Sequence, residues 1–394
     1  MDASVNRIAS SKDEKTLLIG IRLSNQNKEE VTYSLEELKL LVDTAGAVIV
    51  DSITIKRDFI DASQIIGKGY IETIKEMIEE KEIKLIVFDL NNIRPAQIRN
   101  LEEALKCRVI GRNEVILDIF ARRARSAEAQ IQVELAQLKY ILPRLKGLGG
   151  VLSRLGGGIG TRGPGEKMLE TDRRHVLRRI DTLSRKLTKF EKHRERTRRG
   201  RSAAFIGAVV GYTNAGKSTL LNLLAKDDLF VEDRLFATLD SYTRSVYLSP
   251  EFKTLMTDTV GFIRNLPANL IESFRSTLED IGNSDYIVHV IDINAFDLDT
   301  NIATVERELS QLAIKEKPVI MFFNKSDLAD ESLISKVKLL FPEAIIGSAK
   351  SRKGTDELKN EIIRLHEFYS ARSAATPQED DISSFEKPDD YLYH

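Results

Sequence analysis

Gly211-Tyr212-Thr213-Asn214-Ala215-Gly216-Lys217-Ser218 constrains this chain more than any other stretch. It is a complete G-x-x-x-x-G-K-[ST]. It follows the apolar run Ala208-Val209-Val210 and opens the apolar run Leu220-Leu221-Asn222-Leu223-Leu224, so it reads as a strand, a glycine-rich loop and a helix start. Glycines let successive backbone N–H groups turn toward a polyphosphate, and the helix start adds positive potential. Lys217 is expected to reach the β- and γ-phosphates, and Ser218 to ligate Mg²⁺. A chain built around this element is an α/β protein with a mainly parallel sheet.

Companion motifs follow in order. Leu255-Met256-Thr257-Asp258-Thr259-Val260-Gly261 reads as a strand ending in an acid and a glycine. Asp258 is placed for the magnesium shell, and the Gly261 N–H for a γ-phosphate. Between the two elements lies Leu235-Phe236-Ala237-Thr238-Leu239-Asp240. A threonine here closes the metal shell only while a γ-phosphate is present, which makes the segment a switch. Thr238 is the expected residue, with Thr243 as competitor. Val319-Ile320-Met321-Phe322-Phe323 leads into Asn324-Lys325-Ser326-Asp327, an N-K-x-D at a strand end of the kind that reads guanine. The Asp327 carboxylate can accept from N1–H and N2–H, a donor pair adenine lacks. The Lys325 stem can cover the base face. Ser348-Ala349-Lys350, after the apolar pair Ile345-Ile346, offers backbone N–H groups to guanine O6. The expected nucleotide set thus spans Gly211–Ser218, Phe236–Asp240, Asp258–Gly261, Asn324, Lys325, Asp327 and Ser348–Lys350. Within it, Lys217, Thr238 and Gly261 act on the γ-phosphate, and Ser218 and Thr238 hold the metal.

Phe262 follows Gly261, where a Ras-like enzyme has the glutamine that orients the attacking water. A phenyl ring has no hydrogen-bonding atom, so hydrolysis is expected to be slow in isolation. Arg244 and Arg264 stand close enough in sequence to be arginine fingers, but solvated switch-loop charge is the favoured reading. Gly158-Ile159-Gly160-Thr161-Arg162-Gly163 matches G-x-G-x-x-G but follows a heptad helix rather than a strand, so a dinucleotide fold is not expected.

With 394 residues, more than one domain is expected. Apolar runs at 17–21, 47–50, 85–88 and 109–110 alternate with helical patterns over 15–125, predicting a first α/β domain after a flexible 1–14. Ile131, Leu135, Leu138 and Leu142, and then Leu169, Val176, Ile180, Leu183, Leu187 and Phe190, form two narrow heptad seams. They predict an antiparallel coiled-coil hairpin over 126–200 with a glycine-rich tip at 147–165. The GTPase domain is expected over 203–370, and an acidic disordered tail over 371–394. A lone cysteine, Cys107, fits a reducing compartment. No apolar run approaches the ~20 residues of a membrane span. A cytoplasmic monomer without stable membrane insertion is the expectation.

Net charge is −1, so only its distribution is informative. Arg173, Arg174, Arg178, Arg179, Arg185, Lys186, Lys189, Lys192, Arg194, Arg196, Arg198, Arg199 and Arg201 face only Asp181, Glu191 and Glu195 in that stretch. The imbalance is too one-sided for i,i+4 pairing and predicts an RNA phosphate surface.

Gly211–Ser218, Phe236–Asp240, Asp258–Phe262 and Leu266-Pro267 together closely resemble the HflX family, a ribosome-associated group within the Obg-related GTPases. Gly156–Glu166, Glu170–Arg174 and Leu135–Leu145 extend the resemblance upstream, to about 15–369. Tyr70 in Gly67-Lys68-Gly69-Tyr70 and Ser326 depart from the family's usual residues. The resemblance implies an N-terminal α/β domain with a hairpin, then the GTPase domain. It further implies a GTP- or GDP-bound factor on the large ribosomal subunit and its RNA, splitting or rescuing ribosomes. Arg154 and Arg162 at the tip, and Arg194, Arg196, Arg198 and Arg199 on the flank, are the expected RNA contacts. The alternative is a GTP-dependent RNA-folding or ribosome-assembly factor without splitting activity.

Overall fold

The computed structural model describes residues 14–152, 164–199, 204–226, 235–236, 242–264, 280–311 and 317–375. In the N-terminal unit, β1 (Lys15–Leu23), β2 (Val48–Arg57), β3 (Leu85–Phe88) and β4 (Arg108–Gly111) form a fully parallel sheet in the order β2-β1-β3-β4. Alternate strand residues face opposite layers, as the pleat requires. Leu18, Leu85, Val87 and Ile110 pack under α1 (Lys28–Thr44) and α4 (Arg112–Arg123). Leu17, Ile19, Ile86, Phe88 and Val109 pack under α2 (Lys68–Lys81) and α3 (Pro95–Leu105).

The second strand differs from the sequence expectation. It was expected over 47–50 but pairs with β1 as far as Leu23↔Arg57. Asp51, Ser52, Thr54 and Lys56 hid it, and such polar alternation suits an edge strand with one open side. Helix α4, absent from the sequence reading, is buried from Arg112 to Phe120. A helix buried all round has no amphipathic stripe to reveal it.

Helices α5 (Ala127–Leu152) and α6 (Pro164–Arg199) pair along the expected seam. Leu135, Leu138, Val176 and Leu183 form its buried centre. Arg179 grips Glu134 with two hydrogen bonds, of 2.6 and 2.8 Å. These two residues stand at similar distances from the connecting segment, so the helices run antiparallel. Helix α5 continues through Gly147, Gly149 and Gly150, and α6 starts at Pro164. The expected tip is therefore shorter than 147–165; a glycine weakens a helix by about 1 kcal/mol relative to alanine without forbidding it. The fixed φ of proline suits a first helical position. Arg154 and Arg162 lie outside the described residues, as do 1–13 and 376–394.

The second unit holds β5 (Ile206–Val210), α7 (Lys217–Ala225), β6 (Tyr242–Tyr247), β7 (Lys253–Asp258), β8 (Tyr286–Asp292), α8 (Leu298–Gln311), β9 (Val319–Asn324), α9 (Glu331–Leu340), β10 (Ile345–Ile346) and α10 (Thr355–Ala375). Its sheet order is β10-β9-β8-β5-β7-β6, parallel except for β6. Central β5 sends its C-terminal end into the glycine loop, where open α/β sheets bind ligands. The two units share one core. Leu38, Ile116, Phe120, Val133 and Tyr140 from the first cluster with Tyr212, Leu235, Phe236, Val260 and Ile263 from the second.

Candidate nucleotide site

The loop from Gly211 to Ser218 joins β5 to α7 and depends on two glycines for different reasons. Gly211 has φ +152°, and a Cβ there would lie 2.1 Å from the Val290 carbonyl oxygen. Gly216 has φ +91°, and its Cβ would lie 2.2 Å from Asn324 Nδ2. Neither position has room for a side chain.

Lys217 is 6% exposed and folds back over the loop. Its Nζ donates to the carbonyls of Tyr212 (2.9 Å) and Gly211 (3.2 Å). An ammonium has three donors, so this pose fixes its direction and leaves one for a phosphate. Burial pulls its pKa down to about 8, with Asp258 opposing the fall. Ser218 Oγ donates to Asp258 Oδ2 at 2.6 Å. A hydroxyl and a carboxylate side by side at a helix start are the hard oxygen donors Mg²⁺ takes from a protein that leaves its other positions to phosphate and water. The residues present therefore fit that ion. Thr259 Oγ1 donates to the Val209 carbonyl and so pins β7 to β5 rather than facing a ligand.

Gly261 lies against the loop; a Cβ there would stand 2.8 Å from Thr213 Cα and 2.9 Å from Lys217 Nζ. Phe262 next to it is zipped to the loop by its backbone. Thr213 N–H donates to Phe262 O (2.7 Å), and Phe262 N–H donates to Gly211 O (3.1 Å). Its ring points away, into the core of Ala208, Val210, Ile281, Ile287 and Val305. Phe262 is thus a core residue by its side chain and a loop clasp by its backbone.

On the base side, Asn324 is a bridge. Its Nδ2 donates to Ala215 O (2.9 Å), and its Oδ1 accepts from Ala349 N–H (2.8 Å). Ser348 N–H donates to Lys353 O at 2.9 Å. Lys325, at φ +62°, pairs with Asp292 at 2.9 Å. Asp327 and Lys350 are exposed, while Ser326 is buried.

Ala237, Thr238, Leu239 and Asp240 lie outside the described residues. Thr243, the competing threonine, stands on β6 with Oγ1 2.9 Å from Thr257 Oγ1 in the neighbouring strand. Arg244 donates to Asn222 of α7. Arg264 bonds Asp297 at 2.7 Å and stacks over Tyr33, 4.4 Å from the ring centroid. Both arginines have protein partners, so neither is the solvated charge expected from sequence.

Sequence reasoning missed the floor beneath the loop. Tyr212, 9% exposed, donates its hydroxyl proton to Glu37 of α1 and accepts from Arg264 N–H at 2.8 Å. Glu37 also takes Arg112 at the start of α4, and Arg112 reaches Asp89 at 3.0 Å. Burial lowers the Arg112 pKa to about 10, which leaves it charged at neutral pH. Tyr33 adds a hydrogen bond to Asn301 and a stacked Phe296. No local signal was available: Glu37 stands beside Glu36 and near Lys39, and Arg112 beside Asn113 and near Glu114, like ordinary surface charges.

A parallel sheet whose central strand feeds a phosphate loop, with a serine–aspartate pair and an N-K-x-D strand end around it, defines a P-loop GTPase. The comparisons carry this further. Residues 32–121 match the family model for the GTP-binding GTPase N-terminal region. Residues 123–201 match that for the GTP-binding GTPase middle region. Residues 207–325 match that for 50S ribosome-binding GTPases. GTPase HflX of Caldanaerobacter subterraneus subsp. tengcongensis is 47% identical over 357 residues, covering 89% of this chain and 80% of that protein. GTPase HflX of Escherichia coli is 38% identical over 349 residues, covering 88% and 81%. Among solved structures, an SsGBP–GDP complex matches with a TM-score of 0.50 at 25% identity, over 91% of this chain and 99% of that one. The chain belongs to the HflX family of GTPases and hydrolyses GTP. Among the described residues, no helix is long and apolar enough to cross a membrane.

Proposed function

We propose that this protein is a GTP-switched cytoplasmic factor that binds the large ribosomal subunit and splits or rescues ribosomes. The observation that carries the reading is the union of a phosphate-loop site with a long basic hairpin in one chain. The match of residues 207–325 to 50S ribosome-binding GTPases supports the partner. On this reading the loop backbone from Thr213 to Ser218 cradles the phosphates, with Lys217 on the β- and γ-oxygens. Ser218 and Thr238 ligate Mg²⁺, with Asp258 behind Ser218. Mg²⁺, when bound, neutralises charge on the β- and γ-phosphates. Asp327 reads N1–H and N2–H, Lys325 covers the base, and Asn324 ties the base loop to the phosphate loop. Guanine O6 meets the N–H groups of Ala349 and Lys350, with Ala349 N–H shared between O6 and Asn324.

Hydrolysis is in-line attack of water on the γ-phosphorus: the new P–O bond forms as the bond to the β–γ bridging oxygen breaks, GDP leaves with that oxygen, the water's proton goes to the released phosphate, and Gly261 N–H holds a γ-oxygen. Phe262, buried in the core, supplies no group to the water, so turnover alone is slow and rises on the ribosome. Arg196, exposed on α6, and Arg194, Arg198 and Arg199 on the same helix give phosphate affinity. The segment with Arg154 and Arg162 enters a confined RNA cavity. Sucrose-gradient profiles of purified ribosomes with protein and GTP, GDP or a non-hydrolysable analogue test the reading. Dissociation into subunits with GTP or the analogue, and not with GDP, is expected. Intact ribosomes under all three conditions, with protein bound, would favour the RNA-folding or assembly role.

A further inference from the structure

Lys325 follows the bridge residue Asn324 and has a left-handed backbone, at φ +62°. L side chains seldom adopt that conformation, and it persists only where the surroundings over-determine it. The end of β8 supplies the ties. Asp292 lies opposite Asn324 in the sheet register, and the residues after it bond to the start of the base loop. Ile293 N–H donates to Asn324 O at 3.1 Å. Asn294 Nδ2 donates to Lys325 O at 3.0 Å. Asp292 Oδ2 takes the Lys325 ammonium at 2.9 Å, and both side chains are only about a quarter exposed. The carboxylate is itself fixed, because its Oδ1 accepts from Asn294 N–H at 3.0 Å, as in an Asx turn. Lys325 is thus held at both ends, by its backbone and by its ammonium.

We propose that Asp292 and Asn294 are positioning residues for nucleotide binding: they hold the Lys325 side chain preordered as the wall on which the guanine ring lies. The proposal rests on the reading of Lys325 as the cover of the base given above. Only the apolar stem is needed to cover a ring, so the ammonium is left to serve as an anchor. A lysine side chain is among the costliest to order, and an unpinned one loses that freedom when a base settles against it. A side chain immobilised before the ligand arrives loses it in folding instead, and the saving appears as affinity. Fold stability is no explanation for the arrangement, because a partly exposed ion pair adds little to it. A surface ion pair also needs no left-handed backbone, whereas here the strained residue is the lysine of the N-K-x-D itself. Asp327 reads the edge of the base and the stem covers its face, so the clamp acts alike on every purine nucleotide that the edge admits.

The test uses the full chain with Asp292→Ala, Asp292→Asn and Asn294→Ala, beside Lys325→Met, which keeps an apolar stem without the ammonium. Affinities for GDP, IDP and a non-hydrolysable GTP analogue are measured, with GDP dissociation rates, kcat and KM for GTP, and thermal unfolding. Asp292→Ala is expected to lower all three affinities by a common factor of about ten, through faster dissociation, with KM raised in step and Tm little moved. Asn294→Ala should lower them about threefold, and Lys325→Met about as much as Asp292→Ala. In the Lys325→Met background, Asp292→Ala should have no further effect, because the group it holds is gone. Where Lys325→Met binds weakly, a folded Asp292→Ala that binds GDP like the wild type overturns the proposal. Full additivity of the two substitutions overturns it as well, and so does a loss confined to kcat. IDP lacks the N2–H donor, so a changed GDP-to-IDP ratio would show Asp292 acting through Asp327 and would also overturn it. If Asp292→Ala does not fold, Asp292→Asn decides by the same measurements. Wild-type GDP affinity in Lys325→Met refutes instead the reading of Lys325 as the cover of the base, and the proposal falls with it.

Discussion

Removing the Tyr212 hydroxyl, in Tyr212→Phe, perturbs one atom and two bonds. The ring keeps its volume, so no cavity term enters. Arg264 N–H loses its acceptor, and Glu37 loses one of its two donors. A buried polar group left without its partner costs about 1–3 kcal/mol. Glu37 still holds Arg112 and sits at the low end of that range. The two terms together predict a loss of roughly 2–4 kcal/mol. A double-mutant cycle with Glu37→Gln isolates the tyrosine–glutamate bond, and a coupling of about 1–2 kcal/mol is expected for a charge-assisted contact. The chain has no tryptophan, so urea unfolding is best followed by helical circular dichroism. A loss below about 0.5 kcal/mol in Tyr212→Phe, the size of an ordinary surface substitution, would refute the view that this hydroxyl fastens the phosphate loop to α1. Zero coupling in the cycle would assign whatever loss occurs to Arg264 alone.

Asp327→Asn should weaken GTP binding at least ~100-fold and favour xanthosine triphosphate, which offers an acceptor in place of N2–H; competition binding that still prefers GTP contradicts the assignment of the base side. His289 is 3% exposed, and burial, aided by Lys217, lowers its pKa to about 4. Its neutral form is the folded form, so its contribution is complete above the unfolded pKa of about 6.5 and is lost as pH falls toward 4. That is roughly 3 kcal/mol of acid sensitivity, which unfolding curves of His289→Leu between pH 7 and 4 should lack. Phe262→Ala should cost about 3–5 kcal/mol of stability because its ring fills a closed core, and calorimetry showing a native-like Tm would contradict that placement. Neutralising Arg194, Arg196, Arg198 and Arg199 should weaken subunit binding and reduce its logarithmic salt slope by up to roughly 3, read in pelleting assays at graded salt; an unchanged slope removes these arginines from the interface.

The phosphate loop, the N-K-x-D strand end and the heptad seams were legible because each is set by neighbours in the chain. A tight turn needs its glycines wherever it is found, and a hairpin seam shows as a period. The left-handed pair of Gly211 and Gly216 and the Leu135–Leu183 seam are outcomes of that local grammar. Partial legibility marks the edge strand β2, whose polar residues mimic a loop, and helix α4, whose burial erases its stripe. Thr243 could pass for a switch residue in sequence because strand pairing with Thr257 has no local signature.

Only the tertiary structure decided what lies under the nucleotide site. Glu37 and Tyr212 meet across 175 residues, Arg112 and Glu37 across 75, and no periodicity records such a contact. Phe262 read from sequence as a missing catalytic group; packing made its ring part of a core and its backbone a clasp on Thr213. Phe236 read as one residue of a switch motif, yet its left-handed backbone and its seat against Phe120 exist only because two domains close on it. The sequence by itself determined which ligand the chain can read, since that chemistry sits in contiguous motifs. Which surfaces those motifs lean on is settled by folding, because burying apolar area is non-directional and takes its partners from wherever the chain brings them.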